Sequence, residues 1–192
     1  MTTWWWIRHG PTHAKGMVGW SDLPADLSDH AALDRLAALL PEDALVVSSD
    51  LARSVATADA IVGNRQRLDH AQAIREINFG DWELKTSAEI MVSDPDLSRA
   101  YWSNPGEPAP PGGESWNQTA ARVDEFVTSM NAAHPRRHIV AVAHFGVILT
   151  QVQRASRMSA KSALSFRIDN LSVTRLEFLD PHWRVLGVNQ QP

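Results

Sequence analysis

Residues 3–12 of the chain, Thr-Trp-Trp-Trp-Ile-Arg-His-Gly-Pro-Thr, decide the fold because they join a strongly apolar run to two basic residues and a glycine. Trp4–Ile7 predicts a β-strand, and in a strand successive tryptophans face opposite sides of the sheet. Only a sheet that is covered on both faces buries all three rings, so the run predicts a central strand of a layered α/β protein. Arg8 and His9 would then emerge at a fixed place from the carboxyl end of that strand.

The rest of the chain alternates short apolar runs with helical patterns. The further predicted strands are Ala44–Val47, Ile74–Ile77, His138–Ala143, Ser172–Phe178 and Trp183–Val188. The predicted helices are Ala31–Leu40, Leu51–Val62, Glu89–Val92, Leu97–Trp102, Ser115–Ala133 and Val147–Val152. The last two strands are joined by a turn at Asp180-Pro181, which indicates an antiparallel edge. The alternation predicts an α/β sandwich with a mostly parallel central sheet.

Length and composition narrow the class of protein. A chain of 192 residues fits one domain, residues 1–192, better than two. The net charge is −4 and no basic block occurs, so we expect neither nucleic acid nor an anionic membrane as a partner. An anionic substrate would have to be held by a local cluster of cations. The absence of cysteine excludes disulfides, thiolate zinc sites and cysteine-dependent phosphatase chemistry.

Two further sequence patterns concern the cellular compartment of the protein. The apolar run before Arg8 is too short for the core of a signal peptide, and no run of 18 apolar residues occurs. We therefore expect a cytoplasmic protein that does not cross a membrane.

Polar residues follow three of the predicted strands. The first strand ends at Arg8–Gly10, the second at Ser48–Asp50, and His138–Ala143 ends at His144. Arg53 falls in the first turn of the helix after the second strand. Because ligands bind at the carboxyl ends of parallel strands, we expect these three strand ends to meet in one site.

Two arginines and two histidines beside only one or two acids are typical of an anion site. Arginine holds phosphate through paired, charge-assisted hydrogen bonds. A neutral imidazole can attack phosphorus when one ring nitrogen is fixed as a donor and the other is free. The leaving oxygen then needs a proton from a carboxylic acid. Glu76 is the leading candidate for that acid and Glu83 is the second. The remaining histidines lack the spacing of metal ligands.

Five motifs, in this order along residues 4–180, carry a resemblance to a known family. They are Arg8-His9-Gly10-x-Thr12, Ser48-Ser49-Asp50-Leu51-x-Arg53-Ser54-x-x-Thr57-Ala58, Ile74-Arg75-Glu76-Ile77-Asn78-Phe79-Gly80-Asp81-Trp82-Glu83, Pro111-Gly112-Gly113-Glu114-Ser115 and Val142-Ala143-His144-Phe145-Gly146-Val147-Ile148. The chain resembles the phosphoglycerate-mutase-like branch of the histidine phosphatase superfamily, and is most similar to its small α-ribazole-phosphatase-like members.

The resemblance implies the roles of the motif residues. It implies that His9 is the nucleophile and is transiently phosphorylated, and that Glu76 is the proton donor. It implies that Arg8, Arg53 and His144 bind the phosphoryl group. It further implies a three-layer α/β sandwich that uses no metal and no cofactor.

Several positions extend or depart from the family pattern. Thr12 of the first motif is a further candidate for substrate binding, as is Lys15, which stands where the family commonly has a phosphate-binding asparagine. The Lys15 ammonium would supply a mobile positive charge or point to solvent. Pro11 and Leu84 differ from the family's usual residues, and Phe145 is bulkier than the usual glycine or alanine and would narrow the pocket.

The function that follows is hydrolysis of a small phosphomonoester through a phosphohistidine on His9. A mutase that transfers the phosphoryl group between hydroxyls, and a non-catalytic protein that binds a phosphorylated ligand, are the alternatives. Ile90–Ser98 superficially resembles an aspartate-nucleophile loop, but it lacks a preceding strand. The expected partner is a small phosphorylated metabolite, and an exposed edge strand would permit a homodimer. The 104–116 loop is expected to wall the pocket, and Trp82, Trp102 and Trp116 either join that wall or, as is commoner for tryptophan, pack in the core.

Overall fold

A computed structural model describes residues 1–192. The strands are β1 (Thr2–Arg8), β2 (Leu45–Ser48), β3 (Gln66–Arg67), β4 (His138–Ala143), β5 (Val173–Phe178) and β6 (Trp183–Gln190). The helices are α1 (His30–Leu39), α2 (Ala52–Ile61), α3 (Ser87–Ser93), α4 (Pro95–Ser103), α5 (Trp116–Ala133), α6 (Phe145–Ser156) and α7 (Ala160–Ala163). Two 3₁₀ turns, Gln72–Ile74 and Gly80–Trp82, lie between β3 and α3.

The six strands form one sheet in the order β3-β2-β4-β1-β5-β6. The pairings β3–β2, β2–β4 and β4–β1 are parallel, whereas β1–β5 and β5–β6 are antiparallel. The predicted mostly parallel sheet with an antiparallel edge is therefore confirmed. The unbroken apolar run of β4 suits its place inside the sheet, where both of its faces are covered.

The tryptophan run of β1 divides between the two faces of the sheet, as its alternation predicts. Trp4 and Trp6 stack with ring centroids 5.1 Å apart in the core under α5 and α6. Trp5 belongs to the core on the opposite face, under α1 and α2. Helices thus cover both faces, and the molecule is the three-layer sandwich that the resemblance implies.

The structure differs from the sequence prediction between β2 and α3. The strand predicted over Ile74–Ile77 is wrong, because Ile74 ends a 3₁₀ turn and the residues after it pair with no strand. Arg122 of α5 instead donates to the carbonyl oxygens of Ala73 and Glu76, at 2.8 Å each. Carbonyl groups of this segment are therefore hydrogen-bonded by a side chain instead of by a neighbouring β-strand.

Two short elements have no counterpart in the sequence prediction. The strand β3 has two residues and the helix α7 has four, so neither is long enough to show a period. None of the helices is long and apolar enough to span a membrane.

Candidate active site

The carboxyl ends of β2, β4 and β1 lie side by side and bring the predicted site residues together. The backbone N–H of His9 donates to the carbonyl oxygen of Ala143 at 3.1 Å, and that of Ser49 donates to Val142 at 3.1 Å. The ring centroids of His9 and His144 are 5.1 Å apart. Parallel pairing in register is the reason that residues 9, 49 and 144, distant in sequence, meet at one edge.

The imidazole of His9 is held in one tautomer by its two neighbours. Its Nδ1 lies 2.6 Å from the carbonyl oxygen of Gly10, and a carbonyl oxygen can only accept, so Nδ1 carries the proton. Its Nε2 accepts a hydrogen bond from Nε of Arg53 at 3.2 Å. The lone pair of Nε2 therefore points into the site beside a guanidinium.

The surroundings of His9 keep the ring neutral. Burial, followed by the positive charges of Arg53 and Arg8, lowers its pKa from 6.5 to about 3. The hydrogen bond to Gly10 acts in the other direction and is outweighed. At neutral pH the ring is unprotonated at Nε2, where its electron pair accepts only the hydrogen bond from Arg53, and an unprotonated nitrogen is what a nucleophile needs.

Arg53 is completely buried, and its guanidinium is fixed by a loop that sequence reasoning missed. Nη1 donates to the carbonyl oxygen of Ser21 at 2.8 Å, and Nη2 donates to that of Gly19 at 2.6 Å. With Nε on His9, each nitrogen of the guanidinium has one partner. The three contacts set the plane of the guanidinium relative to the imidazole.

Glu83 in turn holds that loop. Its carboxylate accepts from the backbone N–H groups of Gly19 at 3.0 Å and Trp20 at 2.7 Å, and from Ser21 Oγ at 2.7 Å. It also accepts from the N–H of Phe79 at 3.2 Å. All of these donors belong to the 19–21 loop and to Phe79, so the contacts of Glu83 assign it to positioning the loop, whereas it was the second candidate for the proton donor.

The carboxyl group of Glu76 sits against the amino end of α6. The N–H of Gly146 lies 3.1 Å from each of its oxygens, and the N–H of Ile77 lies 3.0 Å from Oε1. A Cβ at residue 146 would stand 2.6 Å from Oε1, so only glycine allows this approach. Burial raises the pKa of Glu76, although these hydrogen bonds and the two arginines oppose the shift. The group thus holds a proton more readily than an exposed glutamate.

The segment that carries Glu76 is fastened to α5 by an ion pair. Arg122 binds Glu114 through Nε at 2.9 Å, while its Nη atoms hold the carbonyl oxygens of Ala73 and Glu76. Glu114 also accepts from the N–H of Asn78 at 2.9 Å. Sequence reasoning missed Arg122, since nothing local distinguishes it from a solvated helix arginine.

Two buried nitrogens at the site have no partner within the protein. Nδ1 of His144 and Nε of Arg8 form no hydrogen bond, although Nε2 of His144 lies 3.2 Å from Ser54 Oγ and Nη1 of Arg8 donates to Ile168 at 2.7 Å. Burial, together with the charges of His9 and Arg53, lowers the pKa of His144 well below 6.5. The Arg8 Nε–H can only donate, and Nδ1 of His144 donates in the tautomer whose Nε2 accepts from the Ser54 hydroxyl, so the two unpaired nitrogens suit a ligand with oxygen acceptors.

The family model of the histidine phosphatase superfamily, branch 1, matches residues 4–191. The chain belongs to that family. It is 30% identical to the adenosylcobalamin/α-ribazole phosphatase of Escherichia coli K12, over 97% of this chain and 90% of the relative. It is 33% identical to the glucosyl-3-phosphoglycerate phosphatase of Mycobacterium tuberculosis, over 74% of this chain and 70% of the relative. Bacillus stearothermophilus YhfR superposes with a TM-score of 0.88 at 28% identity, over 99% of this chain and 98% of that structure.

Two predicted binding residues of this histidine phosphatase stand apart from the buried cluster. Thr12 is partly exposed and its Oγ1 accepts only from the N–H of Ala14, at 3.4 Å. Lys15 is exposed and forms no hydrogen bond or ion pair. The positive charge of Lys15 is therefore free at the surface, and a role for either residue in substrate binding stays a prediction.

Aromatic side chains wall the site on the side of Glu76. Trp102 and Trp116 line a small cavity there, together with Phe145 and Pro105 of the proline-rich loop. Trp82, the third candidate for the wall, is completely buried behind Tyr101 and lines no part of the cavity. Phe145 narrows this side of the site, and the guanidinium carbon of Arg8 lies 5.6 Å from its ring centroid.

Proposed function

We propose that this histidine phosphatase hydrolyses a small phosphomonoester through a phosphohistidine formed on His9. The observation that carries the proposal is the fixed neutral tautomer of His9, in which Nδ1 is bound to Gly10 and Nε2 faces the site. Arg53 and His144, both buried, and the partly buried Arg8 supply donors for the phosphoryl oxygens beside that nitrogen.

In the first step Nε2 of His9 attacks phosphorus and the bond from phosphorus to the alcohol oxygen breaks. Glu76, whose pKa is raised by burial, reacts in its protonated form and gives its proton to the leaving oxygen. Arg53 exchanges its hydrogen bond with Nε2 for one with a phosphoryl oxygen. Most of the acceleration comes from these fixed positive groups, since phosphoryl transfer spreads negative charge over the equatorial oxygens.

In the second step water attacks the phosphohistidine. Glu76, now ionised, accepts a proton from that water, and the bond from phosphorus to Nε2 breaks. Inorganic phosphate leaves, Glu76 is protonated again and His9 returns to its neutral form. The same carboxyl group therefore acts once as an acid and once as a base.

Replacement of the proposed nucleophile is the direct test. His9→Ala should reduce hydrolysis of 4-nitrophenyl phosphate to less than a few per cent of wild type, because the other buried imidazole, His144, has its ring centroid 5.1 Å away and its Nε2 against Ser54 Oγ. Acid-quenched wild-type protein should carry labelled phosphate at His9. His182→Ala, an exposed histidine far along the chain, is the matched control and should leave turnover unchanged. Turnover by His9→Ala above that level would contradict the nucleophile assignment.

The same labelled protein separates hydrolysis from its alternatives. A phosphatase releases the label as inorganic phosphate, a mutase passes it to added 2- or 3-phosphoglycerate, and a binding protein acquires none. The named relatives act on different small phosphorylated compounds, which supports a small metabolite as the substrate here. A cytoplasmic location and a homodimer through the edge strand stay predictions from the sequence.

A further inference from the structure

The side chain of His144 has a single hydrogen-bond contact in the folded protein. Its Nε2 lies 3.2 Å from the hydroxyl oxygen of Ser54, and both residues are completely buried. Its Nδ1 is buried without a partner. His144 is the N-cap residue of α6, yet its side chain forms no capping hydrogen bond with that helix. Among the groups of the protein, only the Ser54 hydroxyl therefore acts on the choice between the two tautomers of this ring.

The two tautomers of His144 differ in how many buried polar groups they leave unpaired. The ring carries one proton, because burial and the charges of His9 and Arg53 hold its pKa well below 6.5. With the proton on Nε2, the ring donates to Ser54, and both the hydroxyl hydrogen and the lone pair of Nδ1 lack a partner. With the proton on Nδ1, the hydroxyl donates to Nε2 and only the Nδ1–H lacks one. Since each unpaired buried group costs free energy, the Nδ1–H tautomer is favoured.

The Nδ1–H tautomer is also the one that suits an anion. An N–H group donates to a phosphoryl oxygen, whereas a lone pair at the same place would repel that oxygen. The ring centroid of His144 lies 5.1 Å from that of His9, so His144 borders the place where the phosphoryl group would be transferred. The tautomer of His144 therefore matters for the binding of that group.

Ser54 lies on the helix that also holds the proposed nucleophile. The preceding residue, Arg53, donates from Nε to Nε2 of His9 at 3.2 Å, while Ser54 contacts Nε2 of His144. Both residues are completely buried in the first turn of α2. Two adjacent residues of one helix thus contact the Nε2 atoms of the two imidazoles, and a shift of this helix would move both contacts together.

We propose that Ser54 is a positioning residue for phosphoryl transfer: its hydroxyl donates to Nε2 of His144 and thereby keeps the proton on Nδ1, which donates to a phosphoryl oxygen. The proposal rests on the phosphatase function proposed above. Ser54 acts through the imidazole and need not touch the substrate. Without the hydroxyl, the ring loses its one partner, and a fraction of the protein presents a lone pair to the phosphoryl group.

The ¹⁵N NMR spectrum of the His144 ring tests the tautomer directly. In protein with labelled histidine, protonated and unprotonated ring nitrogens have well-separated chemical shifts, and couplings to the ring C–H protons distinguish Nδ1 from Nε2. The His144 signals are those absent from His144→Ala. At neutral pH wild type should carry the proton on Nδ1, and in Ser54→Ala both shifts should move toward their average. A wild-type ring protonated on Nε2, or a Ser54→Ala spectrum equal to that of wild type, would overturn the proposal.

Binding of inorganic phosphate measures the consequence without any turnover. Ser54→Ala should raise the Kd for phosphate, measured by calorimetry, roughly tenfold, the usual size of one hydrogen bond. The same variant should lower kcat/KM for 4-nitrophenyl phosphate by a similar factor. Adding Ser54→Ala to His144→Ala should change either quantity little further, because Ser54 acts only through this ring. An unchanged Kd in the single variant, or losses that multiply in the double variant, would contradict the positioning role.

Two controls separate this result from folding and from the phosphatase assignment. Ser98→Ala of α4 removes another buried serine, one without a hydrogen bond to any site residue, and should leave phosphate affinity and turnover unchanged. Ser54→Thr, which keeps the hydroxyl, should restore the wild-type tautomer, whereas a merely structural role of Ser54 would change the melting temperature and leave the tautomer as it is. If the tautomer depends on Ser54 but no hydrolysis occurs, only the proposed function is wrong; if hydrolysis occurs and the tautomer is independent of Ser54, only the role of Ser54 is wrong.

Discussion

Two neighbouring ionisable groups of the site, His9 and Glu76, are shifted in opposite directions by the same cause. Burial disfavours the charged form of each, so the pKa of the imidazole falls to about 3 while the pKa of the carboxyl group rises above its usual 4.5. Burial therefore favours the unprotonated imidazole of His9 and the protonated carboxyl group of Glu76. Opposite shifts of this kind are what an acid and a nucleophile in one step require.

The pH dependence of the phosphorylation step follows from these two shifts. For an alkyl phosphate, kcat/KM should be highest in mildly acidic solution and fall toward alkaline pH as Glu76 loses its proton, because an alkoxide leaves poorly without one. The acid limb due to His9 should appear only near pH 3. A pH profile of kcat/KM, which reports the free enzyme, checks this.

A matched ester tests the origin of the alkaline limb. With 4-nitrophenyl phosphate the leaving group needs no proton, so the limb should be much shallower, and Glu76→Gln should flatten it for both esters. Identical limbs for the two esters would contradict the acid role. Melting temperatures recorded at each pH separate unfolding from titration, because the unfolded state takes up protons on His9 and His144 below about pH 6.5 and stability falls there.

Among the elements, the loop of residues 19–21 depends on a carboxylate more than 60 residues away in sequence. The Glu83 carboxylate accepts hydrogen bonds from N–H groups of this loop. The carbonyl oxygens of the loop in turn accept hydrogen bonds from the guanidinium of Arg53. The sequence shows Glu83 as an acid near Glu76 and so suggests a chemical role. Its hydrogen-bond partners in the structure lie in the 19–21 loop, far from it in sequence, and they make Glu83 a residue that positions this loop.

Replacing Glu83 should therefore act through Arg53. Glu83→Ala should lower kcat/KM by up to roughly 100-fold, since a displacement of about 1 Å in a positioned group can have that effect. Glu83→Gln should recover part of the loss by keeping one carbonyl acceptor. Steady-state kinetics on a generic aryl phosphate measure both.

The variant that carries both Glu83→Ala and Arg53→Ala shows whether the two residues act together. If Glu83 acts only by holding Arg53, then adding Glu83→Ala to Arg53→Ala should lower kcat/KM little further than Arg53→Ala does alone, whereas the two losses would multiply if the roles were independent. The control is Glu125→Gln on the exposed face of α5, which should change nothing.

At the scale of the whole molecule, β1 joins the two cores because its tryptophans point to both. Trp6 is 1% exposed and packs under α5 and α6, while Trp5 packs under α1 and α2. Trp6→Ala should lower the free energy of unfolding by roughly 3–5 kcal/mol, the usual cost of removing a buried ring. Denaturant unfolding measures it, with the half-exposed Leu186→Ala of β6 as the control. A variant of full stability with altered substrate preference would contradict the structural role.

The sequence by itself predicted the mostly parallel sheet with its antiparallel edge and the three strand ends that meet. Unbroken apolar runs such as Trp4–Ile7 and His138–Ala143 indicate strands that are covered on both faces of the sheet. Parallel strands place their carboxyl ends at the same edge of the sheet, so the residues that follow them lie close together. The five motifs in order carry the resemblance to the family whose model matches residues 4–191. These features are local or ordered along the chain, so they can be read from it.

Tertiary structure decided which polar groups meet. The irregular segment around Glu76, the positioning role of Glu83 and the hydrogen bond of His144 with Ser54 depend on contacts between residues far apart in sequence, and no local period encodes them. The pKa shifts likewise depend on burial, which exists only after the layers have packed. The sequence motifs predict which side chains can do the chemistry. Packing of the folded chain determines the protonation and orientation of those side chains and the shape of the space beside them.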